Sequence, residues 1–252
     1  MPGSTKSFHN NEQIVFTESN HLYVDSQQRR YTSVTTLIGK CFEKFDSEKI
    51  AKAKAAREGG DYKELMNQWQ QIGKAAANSG TRLHENCENQ ILGRLELIHK
   101  PETPEEQIKF KYASDIVTGL LNDSSNIKFE PEKLIFSPRF LIAGSVDLLV
   151  HHDDGTFTIY DWKNVKEIKQ NAFMDKVGII DATSKIPDSN YWHYALQLQL
   201  YEIILKIEEY IPKKAKCRRI INAFEKSGFH QYEMPCLVKE ACEMIKWNES
   251  QK

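Results

Sequence analysis

Long apolar runs are missing from this 252-residue sequence, in which no stretch approaches the roughly 18 consecutive apolar residues of a membrane-spanning helix. The N-terminus also lacks the basic and apolar regions that define a secretory signal peptide. We therefore expect a protein that has no membrane segment and works in the cytoplasm.

A charge excess of either sign is missing as well. The 34 lysine and arginine residues nearly balance 35 aspartate and glutamate residues, which gives a net charge of −1. A nucleic-acid partner would have to be held by a local basic patch, because the chain as a whole has no basic excess. With 40% hydrophobic and 27% charged residues, the composition is that of a soluble protein, and the length suits one elaborated domain.

Cysteine is scarce and poorly spaced for either a disulfide framework or a metal cluster. The five cysteines include no Cys-x-x-Cys pair; they are Cys41, Cys87, Cys217, Cys236 and Cys242. An odd number at such spacings indicates reduced thiols. One late Cys-x5-Cys pair with distant single cysteines does not fit a four-cysteine iron–sulfur cluster, so we exclude one.

Two apolar, β-branched runs, residues 143–151 and 156–163, flank a turn that contains Asp-Gly, and together they predict a β-hairpin. Acidic residues interrupt both runs. Because side chains alternate between the faces of a strand, Asp161 and Lys163 project to the same side. The hairpin therefore carries an acid and an ammonium group at one place on an otherwise apolar sheet.

The length of the hairpin loop decides whether Asp147 joins them. A two-residue loop, 154–155, would place Asp147 opposite Trp162 and turn it away. A three-residue loop, 153–155, places Asp147 opposite Asp161, and it is a common form in which the final glycine adopts the left-handed conformation. We favour the three-residue loop, which brings two carboxylates and the lysine together.

Two neighbouring carboxylates repel each other unless a cation lies between them. A hard divalent ion with oxygen ligands, Mg²⁺ or Mn²⁺, is the natural occupant of such a site. The alternative is a plain salt bridge of Lys163 with Asp161 or Asp147. Nothing within the hairpin alone decides between a metal site and a salt bridge.

The N-terminal part of the chain predicts little regular structure at first. Residues 1–11 are polar and aperiodic, so we expect a disordered tail followed by one domain over 12–252. Short strand-like runs between residues 14 and 31 suggest an edge hairpin. Ser33 or Thr35 then caps a helix, with a phosphate contact as the alternative use of these hydroxyls.

Residues 62–92 have a helical composition that we expect to be interrupted near residues 78–80. His84 follows Gly80 by four residues, and a glycine there lets backbone or ligand approach closely. His84 is a candidate ligand on that ground. The alternative is an ordinary structural histidine.

We expect the next two elements, a helix and a strand, to pack against the hairpin or pair with it. Residues 105–122 form an amphipathic pattern, and we expect its apolar face to pack on the sheet. That face comprises Ile108, Tyr112, Ile116, Leu120 and Leu121. Residues 127–137 predict the first core strand, which carries Glu130 and Glu132. Glu132 is either a solvent-facing strand residue or a member of a metal site.

Residues 164–190 are polar and lack periodicity, which is typical of a functional loop or of disorder. We expect this segment to be mobile and to bury little apolar surface. Residues 191–209 predict a helix on which Gln197 and Tyr201, one turn apart, share a face. Taken alone, that pair is core packing plus a surface amide.

Four motifs thus stand in a fixed order: Gly80-x3-His84, Gly144-x2-Asp147, Asp161-x-Lys163 and Gln197-x3-Tyr201. In this order and spacing the chain resembles the PD-(D/E)XK nuclease superfamily, specifically its RecB-type and phage or mitochondrial genome-maintenance exonuclease branch. The early His21-x-Tyr-x-Asp and Ser33-Val-Thr also resemble the lead-in of the phage-type members. The resemblance implies an α/β fold with a mixed central β-sheet flanked by helices, a restriction-endonuclease-like core over about residues 80–235.

The resemblance also implies roles for these residues. Asp147, Asp161 and Lys163 would be catalytic. The ligands of Mg²⁺ or Mn²⁺ would be His84, Asp147, Asp161 and the backbone carbonyl of Trp162, with Glu132 rather than Glu130 as a further acidic ligand. The contacts to DNA would come from Ser33, Thr35, Arg82, Lys166, Gln197 and Tyr201, where the last two alternatively position the active site. Apart from the resemblance, the position of residues 164–190 between Lys163 and the helix that carries Gln197 leads us to expect that this segment becomes ordered over bound DNA.

The implied function is a metal-dependent deoxyribonuclease, an exonuclease that acts on DNA ends in replication, recombination or repair. Its partners would be single- or double-stranded DNA and proteins of replication or recombination, in the host cytoplasm if the gene belongs to a phage. One alternative is a DNA-binding or recombination scaffold that keeps the fold without turnover. Another is a structure-specific endonuclease.

Overall fold

The computed structural model describes residues 4–9, 12–17 and 20–251. The strands are β1 (Ser4–His9), β2 (Glu12–Thr17), β3 (Leu22–Asp25), β4 (Arg30–Ser33), β5 (Asn126–Ser137), β6 (Ile142–His152), β7 (Phe157–Asn164), β8 (Cys217–Glu225) and β9 (Gly228–Glu233). The helices are α1 (Val34–Lys40), α2 (Ser47–Glu58), α3 (Tyr62–Ile91), α4 (Pro104–Asn122), α5 (Asn190–Ile207) and α6 (Val238–Ser250).

The nine strands form one mixed sheet in the order β1-β2-β3-β4-β6-β7-β8-β9, with β5 paired to β6. The β4–β6 and β7–β8 pairs are parallel, and the others are antiparallel. Helices α1, α5 and α6 pack on one face, and α3 and α4 pack on the other. This arrangement confirms the predicted α/β class with a mixed sheet flanked by helices.

Strand β6 is the centre of the sheet because three strands pair with it. β5 runs along one edge of β6 for nearly its whole length. The other edge is shared: β4 pairs with Ile142 and Ala143, and β7 pairs with residues 148–151. Between these two ladders, no described strand covers residues 144–147 on this edge. Asp147 therefore lies in a gap where side chains and a ligand can approach the sheet.

The N-terminal stretch differs from the expected disorder. Ser4–His9 forms β1 and pairs antiparallel with β2 from Ser4↔Thr17 to His9↔Glu12. Its sequence, Ser-Thr-Lys-Ser-Phe-His, is almost entirely polar and does not alternate, so the strand could not be recognised without its partner strand. The rest of the stretch 1–11 lies outside the described residues.

Helix α3 is continuous over 30 residues, so the predicted interruption at 78–80 is wrong. A glycine inside a helix costs only about 1 kcal/mol. Downstream packing offsets that cost, because Leu83 and Cys87 are buried against the sheet. Helix α3 thereby carries His84 rigidly toward the gap in β6.

Helix α4 packs on the sheet, as predicted, but through a face rotated from the expected one. Ile116 and Leu120 of the predicted face pack on the core together with the buried Phe110, Ala113 and Val117, whereas Ile108 and Tyr112 are exposed. The buried face also includes Lys109, whose ammonium donates to the Asn164 side chain at the end of β7. Apolar residues lie on more than one side of this segment, and the sequence pattern does not show that Phe110, Ala113 and Val117 form the side that is buried.

Residues 164–190 do bury apolar surface, contrary to the prediction. Ile168 and Ile186 join the main core, and Thr183 is fully buried. The amide of Ile179 donates to the carbonyl of Cys41, and the amide of Gly178 donates to the carbonyl of Thr183. The segment is a hydrogen-bonded strap between α1 and α5, and its polar composition concealed these few anchors.

Candidate metal centre and active site

The hairpin β6–β7 has the predicted three-residue loop. The amide of His152 donates to the carbonyl of Thr156 at 3.0 Å, which leaves residues 153–155 as the loop, and Gly155 has a φ of +77°. The ladder pairs Leu148 with Tyr160. Continued by one residue, this register sets Asp147 opposite Asp161, so the predicted register is confirmed.

Glu132 reaches the same place from β5. The ladder pairs Pro131 with Leu148 and Lys133 with Val146, so Glu132 lies across from Asp147. Its φ of +45° falls in the left-handed region that side chains other than glycine rarely adopt. Such strained residues concentrate at functional sites. The Ser145 hydroxyl donates to its carboxylate at 3.2 Å.

Glu130, the other acidic candidate on this strand, lies in a separate network. Its carboxylate contacts His151, Lys133 and Lys128 at 2.7, 2.7 and 3.1 Å. Burial raises the pKa of Glu130, but hydrogen bonds from Lys133 and His151 outweigh burial and lower it to about 2. Glu130 is therefore an ion-paired structural residue, and Glu132 is the acid that faces Asp147.

His84 joins the two carboxylates from helix α3. Its Nδ1 lies 3.5 Å from Oδ2 of Asp147 and 3.8 Å from Oε1 of Glu132. Among the described residues, His84, Glu132 and Asp147 form the group whose ligand atoms all lie within 4.8 Å of one another. An imidazole with two carboxylates is a suitable donor set for a divalent ion such as Mg²⁺, Mn²⁺ or Zn²⁺.

The backbone of Trp162 fixes the orientation of both groups. Its amide donates to Oδ2 of Asp147 at 2.8 Å, and its carbonyl lies 2.8 Å from Nε2 of His84. A carbonyl can only accept, so Nε2 carries a proton and Nδ1 faces the carboxylates. Metal-ligating histidines typically donate their second N–H in this way. In this structure the Trp162 carbonyl thus serves His84 instead of standing free as a ligand.

Positive charge is favoured between these three side chains. Burial lowers the pKa of His84, but the Asp147 and Glu132 carboxylates outweigh burial and raise it to about 9. Burial raises the pKa of Asp147, and repulsion from Glu132 adds to the shift while His84 opposes it. A neutral imidazole would direct a lone pair at two carboxylates. A proton on Nδ1, or a metal ion, relieves that repulsion.

Asp161 lies outside this three-residue group and forms a second one with Lys163. Oδ2 of Asp161 is 2.7 Å from the Lys163 ammonium. Burial and the Asp147 carboxylate raise the pKa of Asp161 to about 6, so it is still ionised at neutral pH. Burial lowers the pKa of Lys163, but Asp161 and Asp147 outweigh it and raise the pKa above the ordinary value. Lys163 is therefore held as a cation.

Gln197 and Tyr201 hold Asp161 from helix α5. The Gln197 amide donates to Oδ1 of Asp161 at 3.3 Å and to the Tyr201 hydroxyl at 3.0 Å. Both side chains are buried. Direct contact with DNA is thus not available to either of them, and the alternative role of positioning the active site fits the structure.

The other residues predicted to contact DNA are placed differently. Ser33 is buried and caps α1 through a bond from the Thr36 amide at 3.0 Å, whereas Thr35 is exposed. Arg82 already pairs with Glu102 and Glu106 at the start of α4. Lys166 is exposed near the end of β7. Of the two uses considered for Ser33, the structure shows capping of α1.

Sequence reasoning missed two supporting side chains. Ser145, which holds Glu132, lies two residues before Asp147, and this same-face spacing was the available signal. Tyr194 places its ring 4.8 Å from the Lys163 ammonium. Tyr194 lies in the helix predicted over residues 191–209, and nothing in the sequence indicated a cation–π contact across 31 residues.

Comparisons with known proteins give only distant similarity. No protein-family profile matches the chain, and no curated protein sequence matches it. A crystal structure from Eubacterium rectale, provisionally named an exonuclease, is 13% identical with a TM-score of 0.42; the match covers 69% of this chain and 65%, less than two thirds, of that one. The crystal structure of SSO0001 is 13% identical with a TM-score of 0.27, covering 64% of this chain and 84% of that one.

No helix within the described ranges has the length and apolar character needed to cross a membrane.

Proposed function

We propose that this protein is a metal-dependent deoxyribonuclease that hydrolyses DNA phosphodiester bonds. The observation that carries the proposal is the arrangement around His84: Nε2 donates to the Trp162 carbonyl while Nδ1 faces the carboxylates of Asp147 and Glu132. A lysine–aspartate pair lies beside this group on the same hairpin. The ordered motifs of the sequence favour an exonuclease over an endonuclease.

The donor set fits a divalent ion held by His84, Glu132 and Asp147, and Mg²⁺ or Mn²⁺ is our choice. The two carboxylates supply the hard oxygen ligands that these ions prefer, and the imidazole is a softer, borderline donor. When bound, such an ion supplies Lewis-acid activation of water and phosphate. Asp161 lies beside the same gap. It becomes an additional ligand if its carboxylate leaves Lys163 and binds the ion instead.

Lys163 contributes electrostatic stabilisation. Its ammonium remains protonated beside Asp161, so it can neutralise negative charge that develops on a phosphate in the gap. The same cation can orient a water molecule by hydrogen bonding. Gln197 and Tyr201 keep Asp161 in place, and Asp161 in turn keeps Lys163 directed at the gap.

The test is cleavage of end-labelled linear DNA, single- and double-stranded, and of closed circular DNA by purified protein. We expect cleavage with Mg²⁺ or Mn²⁺ and none with EDTA. An exonuclease degrades linear DNA and leaves circles intact, whereas an endonuclease cuts both. Binding of DNA without cleavage in any metal condition contradicts the proposal and favours the scaffold alternative.

Matched variants locate the activity. Asp147→Asn removes one carboxylate charge from the proposed site with little change in shape, and we expect it to abolish cleavage. Asp153→Asn makes the same change at an exposed position in the hairpin loop of the same strand pair. Normal cleavage by Asp153→Asn shows that charge at the site, and not the net charge of the protein, is required.

A further inference from the structure

A cleft of about 590 Å³ opens beside the group formed by His84, Glu132 and Asp147, called here the His84 group. This volume is typical of small-molecule sites. Three of its lining residues, His84, Glu132 and Ser145, belong to the candidate metal centre. The remaining walls come from strands β1, β2 and β5 and from helix α3. The cleft therefore extends the metal centre toward the N-terminal strands.

One wall of the cleft is aromatic. Phe16 on β2 stacks on Tyr23, with ring centroids 4.5 Å apart and planes 27° apart, and His21 meets it edge-on at 5.2 Å. Tyr23 is 3% exposed and fixes Phe16 from behind. Phe16 itself is partly exposed and borders the cleft. The ring is thus held firmly and still has free surface.

The side of the cleft formed by α3 combines small residues with acidic ones. Ala77, Gly80 and Thr81 line one part, where a β-carbon at Gly80 would meet nothing within 4 Å, and Glu85 and Glu88 line another. Ala77 is exposed. An aromatic ring together with small side chains leaves room for a flat ligand. The apolar lining continues on β5 with Pro131 and Leu134.

We infer that this cleft is a nucleobase subsite, in which Phe16 stacks on a base of the strand being cleaved. The inference rests on the proposed function, because the ion held by His84, Glu132 and Asp147 would bind the neighbouring phosphate. A nucleotide joins an anionic group to a flat apolar ring, and the cleft offers a cation-binding group and an aromatic wall in one continuous space. Base stacking on aromatic side chains tolerates any sequence.

The experiment uses single-stranded DNA oligonucleotides that carry one 2-aminopurine each, at successive positions from either end. Ca²⁺ replaces Mg²⁺ so that binding is observed without cleavage. Stacking on Phe16 quenches 2-aminopurine fluorescence at the position that enters the cleft. We expect quenching with the unaltered protein and with Phe16→Tyr, but not with Phe16→Leu, which keeps apolar bulk and loses the ring.

Affinity gives a second readout. Loss of one stacking contact should weaken oligonucleotide binding by roughly tenfold for Phe16→Leu. Because Phe16 also packs on Tyr23, thermal unfolding of each variant establishes that the fold is retained. Ala77→Leu provides an independent route: leucine suits an exposed helix position but fills the cleft, so it should abolish quenching without lowering stability. Ala53→Leu, the same change at an exposed position on α2, is the control.

The outcomes separate the two proposals. If the protein cleaves DNA and every probe position is quenched equally in Phe16→Leu and in the unaltered protein, the base subsite is wrong and the nuclease proposal stands. Absence of quenching at all positions in the unaltered protein also overturns the subsite. Failure of the nuclease proposal is detected separately, by the absence of metal-dependent cleavage.

Discussion

Tyr201 lies so close to Gly144 that a β-carbon at position 144 would be 2.5 Å from Cε1 of the tyrosine ring. The contact joins helix α5 to strand β6 three residues before Asp147. Through the Tyr201 hydroxyl it also reaches Gln197 and thereby Asp161. Glycine at 144 is therefore a steric requirement of the candidate site.

The first prediction concerns this contact. Gly144→Ala should destabilise the protein by about 1–3 kcal/mol, the usual cost of overpacking a core, because the ring is buried and has no room to move. DNA cleavage should fall as well, since a displaced Tyr201 releases Gln197 from Asp161. Urea denaturation followed by circular dichroism measures the stability.

Gly80→Ala is the matched control, because a β-carbon there meets nothing within 4 Å and the residue lies inside helix α3. Alanine should stabilise this helix by about 1 kcal/mol. A loss of stability in Gly144→Ala together with a gain in Gly80→Ala supports the close contact between Gly144 and Tyr201. Equal stability of Gly144→Ala and the unaltered protein shows that Tyr201 is not confined there.

The second prediction concerns the metal centre. Titration calorimetry with Mn²⁺ should detect one site, and His84→Ala, Glu132→Gln and Asp147→Asn should each weaken binding by about tenfold or more. Bound ion should also raise the melting temperature, since at 100 times its Kd a ligand contributes about 2.7 kcal/mol. Asp153→Asn should bind like the unaltered protein.

His84 separates the metal site from a plain ion-pair network. If His84 is only a structural histidine, its removal lowers the melting temperature and leaves the Mn²⁺ concentration needed for cleavage unchanged. If it is a ligand, that concentration rises. Asp147→Asn carries the opposite expectation for stability: burial and Glu132 raise the pKa of Asp147, so removal of its charge should leave the metal-free melting temperature equal or higher.

The third prediction concerns Lys163, which is not a ligand. Lys163→Met should abolish cleavage and retain Mn²⁺ binding. The variant leaves Asp161, which is 1% exposed, as an unpaired buried charge, and this should cost roughly 3 kcal/mol at neutral pH. Lys163→Met with Asp161→Asn should recover most of that stability. Little cleavage loss in Lys163→Met contradicts the assigned role.

The stability lost in Lys163→Met should change with pH in a direction that the pKa of Asp161 predicts. Without the ammonium, the folded-state pKa of Asp161 moves above its value of about 6, whereas the unfolded value is about 3.9. A raised folded pKa means that stability is greatest below the unfolded value and falls as pH rises through the folded one. The difference from the unaltered protein should therefore grow as pH rises above about 6, where folded Asp161 loses its proton in the unaltered protein but keeps it in the variant.

The fourth prediction concerns Asp25, which organises the β3–β4 turn. Its carboxylate accepts from the amides of Gln27 and Arg29 and pairs with the Arg29 guanidinium at 2.5 Å. The Tyr31 hydroxyl donates to it at 3.0 Å. Burial raises the pKa of Asp25, but the bonds from Arg29 outweigh it and lower the pKa below the ordinary value.

A depressed folded pKa contributes stability that is present above the unfolded value near 3.9 and is lost as pH falls through the folded one. Asp25→Asn should therefore destabilise the protein at neutral pH and cost progressively less in acid. Urea denaturation at several pH values measures this difference. A difference that is constant across the acid range contradicts the assigned pairing.

Much of the site was predictable because it depends on spacing along a single hairpin. The alternation of a strand places Asp161 and Lys163 on one side, and the loop length sets Asp147 opposite Asp161. Local rules are sufficient there, since both strands are adjacent in the chain. The mixed α/β class follows in the same way from the order of helical and strand patterns.

The errors arose where packing outweighed local preference. An Asn-Ser-Gly sequence favours a break, yet α3 continues because Leu83 and Cys87 pack below it. The buried face of α4 includes Lys109, which pairs with Asn164 on β7, and no hydrophobic pattern indicates such a bond.

By itself, then, the sequence determined the hairpin and favoured the register that sets Asp147 opposite Asp161, because these depend on backbone geometry within about 20 residues. Only the tertiary structure decided which groups complete the site. His84 and Glu132 approach Asp147 from elements that are distant in the chain, and the Trp162 carbonyl selects the nitrogen of His84 that faces them. The division has a physical reason: contacts between distant elements depend on how whole faces pack, and no local pattern records that packing.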